Sequence, residues 1–163
     1  MPTLPGLTPP PAPGPTPAPA DVSADEVRRE GEMLAAVNAV RATGASCGGA
    51  SMPPVPPLVM SASLARAARA HSIDMASHDY FDHTSQDGRT VGDRLRAQGA
   101  DKGSWGENIA AGGATVRATM DQWLQSPGHC RNMLSPDYSA IGIGHGYSAS
   151  SAMHDYWTQD FSG

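Results

Sequence analysis

Three side chains sit where the sequence could do chemistry: His83, Glu107 and His129. Each falls in a turn or short extended stretch, and such segments carry site residues more often than helix faces do. His83 lies in the turn-rich run Asp79 to Gly88. Glu107 lies in Gly106-Glu107-Asn108-Ile109-Ala110, and His129 follows the helix-breaking Ser126-Pro127-Gly128. Of four glutamates, Glu26, Glu30 and Glu32 fall on a segment expected to be exposed helix, which leaves Glu107 in the core-forming region between Trp105 and Ile109. A carboxylate there needs a partner, because an unpaired charge is costly to bury. It either satisfies turn amides or serves a site. Two imidazoles and a carboxylate suit a divalent metal such as zinc with an open position. They also suit proton transfer near neutral pH. No HExxH helix or other close-spaced ligand pair supports the metal.

The other histidines read differently. His71 falls on the apolar face of a helix and is expected in the core with a local partner. His78 ends that helix. His145 shares a strand face with Ile141, Ile143 and Tyr147 or flanks a cleft, and His154 is in a loop. Neither Ser85 nor Ser104 sits in a nucleophile elbow. Cys130 adjoins His129, but sequence neighbours usually point apart, which disfavours a thiol nucleophile. The two cysteines, Cys47 and Cys130, are isolated, which excludes a zinc knuckle and a CxxC redox pair. They are either two buried thiols or a bridge. A bridge closing a loop of about 80 residues would contribute about 4–5 kcal/mol in the chain-entropy model. Trp105, Trp123, Tyr156, Trp157 and Phe161 are expected in the core rather than in a ligand cage.

The elements that must position these residues are legible. Ser23-Ala24-Asp25-Glu26 has the form of a capping box, with Val27, Leu34, Val37 and Val40 or Arg41 following at helical spacing and Gly44 as the stop. Pro53 to Pro57 forbids regular pairing. A second helix runs from about Ser61 to Ser77, with Leu64, Ala68, His71 and Met75 on one face. Thr90 opens a third, with Val91 and Leu95 inward and Gly99 ending it. Thr115 to Gln125 forms a fourth, and His129 to Leu134 a further short turn of helix. Ile141 to Tyr147 alternates at period two with glycine on its other face, so it is a strand that a neighbouring backbone can approach closely. Asp155 to Phe161 is a final strand, joined to it by the hairpin loop 148–154. Interleaved helices and antiparallel strands make an α+β fold, with helices on both faces of a small sheet.

Nine of the 15 prolines fall in the first 19 residues, so segment 1–20 is expected as a disordered Pro-rich linker and 21–163 as a single domain. Met1 runs directly into this linker with no basic or apolar leader, so any export segment is expected outside these residues. The net charge is −5, and the 11 basic residues form no stripe, which excludes a nucleic-acid footprint. No apolar run is long enough to span a bilayer.

Six motifs in order resemble a known family: Phe81-Asp82-His83-Thr84, Asp87-Gly88-Arg89, Gly106 to Ala110, Ser126 to Leu134 after Trp123, Ile141-Gly142-Ile143-Gly144 and Tyr156-Trp157-Thr158-Gln159. From about Met33 to Phe161 the chain is similar to the bacterial branch of the cysteine-rich secretory protein, antigen 5 and pathogenesis-related superfamily, also called the SCP or CAP domain. The resemblance implies an α-β-α sandwich with a small, mainly antiparallel central sheet, in an extracellular or cell-surface protein, here expected as a monomer. It implies a cleft with a His, Glu, Glu, His tetrad, carried by His83, Glu107 and His129, with Asn108 and Ser126 in the same cleft. The second glutamate normally follows the tryptophan by one helical turn; here that position is Ser126, so the tetrad is incomplete. The resemblance further implies a Cys47–Cys130 disulfide. It associates the cleft with a divalent metal at His83 and His129, with a small polar, lipid or cell-wall ligand, or with hydrolysis.

Overall fold

The computed structural model describes residues 22–163; the Pro-rich segment 1–20 lies outside them. The first helix, α1, spans Ala24–Thr43, with the Ser23 hydroxyl accepting from the Glu26 amide and Gly44 (φ 70°) ending it. Two expectations for α1 are corrected. Glu26 does not reach back to close a capping box; its carboxylate accepts from His145 Nδ1 at 3.1 Å. Glu30 is buried, held by Arg69 at 2.5 and 2.6 Å. Val27 is 54% exposed, so the buried face of α1 is Glu30, Met33, Val37 and Arg41. Arg41 acts as a buried clamp, donating to the carbonyls of Pro56, Met133, Ser135 and Tyr138. It anchors the Pro-rich 53–57 segment, which cannot pair regularly.

The chain then makes a small antiparallel hairpin, β1 (Ala45–Cys47) and β2 (Ala50–Met52), around Gly48-Gly49. A four-stranded sheet follows from β3 (Val59–Met60), β4 (Trp105–Ala111), β5 (Ala140–Tyr147) and β6 (Asp155–Ser162), in the order β3-β5-β6-β4. β3 runs parallel to β5, and the other two pairs are antiparallel.

Both sheet faces are covered. Helix α2 (Ala62–His78) begins at a Ser61 cap and lies on the glycine face of β5. A Cβ at Gly142, Gly144 or Gly146 would run into the α2 backbone at Leu64–Ala65, Ala68–Arg69 or Ser72–Ile73. The alternating glycines therefore let a helix rest directly on the sheet. Ser72 Oγ secures the contact by donating to the Gly144 carbonyl at 3.1 Å. A Gly144→Ala variant is expected to lose about 1–3 kcal/mol by overpacking, measured by urea unfolding.

The opposite face carries Ile141, Ile143, Trp157 and Phe161, packed against Met33 and Val37 of α1 and Met120 and Trp123 of α4 (Val116–Gln125). The short helices α3 (Val91–Ala97) and α5 (Pro127–Met133) flank β4, the edge strand. This is the α-β-α sandwich expected from the sequence. Cys47 and Cys130 are joined in a disulfide that ties β1 to α5. Among the described residues no helix is long and apolar enough to cross a membrane.

Candidate functional site

β4 is the element on which the site is built. Successive strand residues point to opposite faces, so Glu107 projects toward the α2 and α3 side and Asn108 to the other. Each organises one histidine.

On the first side, His83 Nδ1 donates to Glu107 Oε1 at 2.8 Å. The His83 ring is half exposed, whereas the Glu107 side chain is 2% exposed. Beneath them lies Arg94 of α3. Its Nη2 donates to both Glu107 oxygens at 3.0 and 2.7 Å, and its Nη1 donates to the His83 carbonyl at 2.6 Å. Arg94 thus holds the carboxylate and the backbone of the residue the carboxylate orients. Thr90 makes this possible through a complete capping box with Asp93, which starts α3 where Arg94 turns inward.

On the second side, Asn108 Nδ2 donates to the His129 carbonyl at 3.1 Å and to Gln159 Oε1 at 3.1 Å. Asn132 Nδ2 donates to Asn108 Oδ1 at 2.9 Å. This amide network fixes the backbone of α5, which Pro127 starts and the disulfide at Cys130 pins from behind. Ser126 stands at the junction of α4 and α5; its hydroxyl makes no cap bond, and it joins neither network.

The electrostatics follow from these contacts. Burial alone would raise the Glu107 carboxyl. The hydrogen bond from His83 and the Arg94 charge outweigh burial and hold it well below the ordinary carboxylate range. The hydrogen bond to Glu107 raises the His83 imidazole above its usual value. Burial, and then the charge of His83, lower His129. His71 is buried, as expected, and its Nε2 donates to the Asp82 carbonyl at 2.9 Å.

The residues do not make a resident metal centre. Zinc sites use three or four protein ligands, and no group of three His, Cys, Asp or Glu among the described residues converges to hold an ion. The Glu107 carboxylate, the natural third ligand, is already taken by Arg94 and His83.

Two members of this cluster carry no sequence signal that singles them out beforehand, or only a weak one. Arg94 looks like any helical arginine. Asp160 is a carboxyl at the centre of a strand whose neighbours are apolar or buried, and any antiparallel pairing that sets Thr158 opposite Ile109 sets Asp160 opposite Glu107. His145, left open between core and cleft, belongs to the core. It is buried against Trp157, between Glu26 and Asp155, away from Glu107. Trp105, expected inside, is 44% exposed and lies over Gly92.

Comparison with known proteins agrees with this architecture. Residues 34–161 match the model of the cysteine-rich secretory protein family, CAP. The chain is 37% identical over 107 residues to the uncharacterized protein YkwD of Bacillus subtilis, covering 66% of this chain and 40% of that protein. It superposes with a TM-score of 0.69, at 29% identity, on an extracellular SCP-domain protein from Bacillus anthracis, covering 86% of this chain and 44% of that one. An outer surface protein from Borrelia burgdorferi shares the fold at TM-score 0.68 and 17% identity, over 82% of this chain and 91% of that one. The chain thus spans less than half the length of the Bacillus proteins it matches. It belongs to the cysteine-rich secretory protein (CAP) family.

Proposed function

We propose that this chain is an exported CAP-domain binding module whose cleft takes a small polar ligand between His83 and His129. The observation that carries the reading is the His83 Nδ1–Glu107 hydrogen bond, with the carboxylate itself spent on a buried arginine. That arrangement fixes the His83 ring and leaves its Nε2 as the group offered to a ligand. No activated nucleophile accompanies it among the described residues, which favours binding over hydrolysis. Export is supported by the disulfide, since such bridges persist in oxidising compartments, and by the extracellular and outer-surface relatives.

The test is an NMR titration of the imidazole signals with inorganic phosphate, and separately with zinc, in wild type, His83→Ala and His129→Ala. Phosphate is expected to shift both rings in the wild type, with affinity at least about tenfold weaker in either variant, or about 1.4 kcal/mol. Zinc heats in calorimetry that vanish in both variants would instead make the cleft a metal site. Ester hydrolysis abolished by Glu107→Gln would make it an enzyme.

A further inference from the structure

Beside Glu107, on the same face of the sheet, lies a second carboxyl. Glu107 of β4 and Asp160 of β6 are directly opposite in the strand register. The next residue across is Gly142 of β5, on which the α2 backbone at Leu64 and Ala65 rests. Asp160 is therefore sealed between helix and sheet, with 0% exposure. Neither of its oxygens has an N–H or O–H donor among the described residues. A carboxylate in such a place would be an uncompensated buried charge beside another carboxylate, which proteins avoid by neutralising one of the two.

We propose that Asp160 is a positioning residue held in its acid form: its O–H donates to the Glu107 carboxylate, so that one proton is shared by the buried pair and the cleft floor is electrically balanced. Three donors then surround Glu107, namely His83 from the 79–90 loop, Arg94 from α3 and Asp160 from β6. Burial, and then the Glu107 charge, raise Asp160 well above the ordinary carboxylate range, against the opposing charge of Arg94. The consequence for the cleft is its sign. With Asp160 neutral, Arg94 and Glu107 cancel, and protonation of His83 makes the site net positive, suited to the carboxylate or phosphate group of a ligand. With Asp160 ionised, the same cleft would be net negative on its floor and would favour cations. The preference for an anionic group rests on the cleft being a ligand site, as proposed above; the proton on Asp160 does not.

Asp160→Asn removes the titrating group while its amide can still donate to Glu107. If Asp160 is already neutral, the His83 titration midpoint, followed by NMR, moves by less than about half a unit in Asp160→Asn. If Asp160 is ionised, the variant loses a negative charge near His83, and the midpoint falls by more than that, which overturns the proposal. Phosphate affinity at pH 5.5 provides the second arm. Equal affinity in wild type and Asp160→Asn is expected, and binding at least tenfold tighter in the variant overturns the assignment of a neutral acid. Absence of phosphate binding in both proteins would overturn the ligand reading while the His83 midpoint still decides the proton. Should Asp160→Asn not fold, infrared spectroscopy of the wild type decides: a carboxylic-acid C=O band is expected at pH 7, where exposed carboxyls are ionised, and its absence overturns the proposal.

Discussion

A Glu107→Ala variant is expected to be the most damaging single change at the cleft, costing about 3–5 kcal/mol of stability. The reason is what it leaves behind. Arg94 is 5% exposed and loses its carboxylate, and a buried charge without its partner costs more than the pair contributed when intact. His83 loses the acceptor that fixes its ring, and Asp160 loses the group that takes its proton. Glu107→Gln keeps the shape and one acceptor oxygen, so its loss is expected to be smaller, on the order of 2 kcal/mol. Urea unfolding at pH 7 measures both.

The pH dependence of that difference has a sign fixed by the shifts. Glu107 is lowered in the folded state, so its contribution is present above its unfolded value near 4.5 and is lost as pH falls through the folded value. His83 is raised, so its contribution is present below its unfolded value near 6.5 and is lost as pH rises through the folded value. Wild type and Glu107→Ala should therefore differ most between these two limits, at about pH 5–6, and converge in strong acid. His83 is half exposed, and solvent screening keeps its share small. A Glu107→Ala protein as stable as wild type at pH 6 would show that Arg94 finds another partner.

Local signals were readable from sequence, and distant pairings were not. Ser23, Ser61 and Thr90 each cap a helix through an amide three residues on, an interaction contained within four residues. The glycine alternation of β5 announces a close approach because only glycine leaves room for a backbone on that face. Glu26 and Glu30 were misplaced for the converse reason: their partners, His145 and Arg69, are 119 and 39 residues away. Arg94 and Arg96 show the same limit within one helix. They are two residues apart and chemically identical, yet Arg94 is 5% exposed and Arg96 66%. What separates them is the position of α3 against β4, a tertiary fact. Family motifs mark His83, Glu107 and His129 but pass over Arg94 and Asp160, because α3 and β6 bring those two to Glu107 through tertiary packing that no local motif records.

Reducing the Cys47–Cys130 bridge is expected to cost about 4–5 kcal/mol, a large share of the roughly 5–15 kcal/mol that holds a domain of this size together. The bridge joins residues 83 apart in sequence, and in the chain-entropy model the stabilisation grows with the loop the bridge closes in the unfolded chain. Both cysteines are fully buried with Leu134, so a double serine variant would add the cost of placing hydroxyls in an apolar cluster; Cys47→Ala/Cys130→Ala isolates the loop effect better. The change should also reach the cleft. Cys130 follows His129 directly, and the rest of α5 is held by the Asn108 and Asn132 amides, by the Arg41 bond to the Met133 carbonyl and by burial of the Met133 side chain. Thermal unfolding with and without reductant reads the stability, and amide exchange in α5 reads the loosening. Exchange in 127–133 is expected to accelerate while α2, seated on the glycine face of β5, keeps more of its protection. Equal loss of protection in α2 and α5 would mean that the bridge stabilises the whole domain without holding His129 in place.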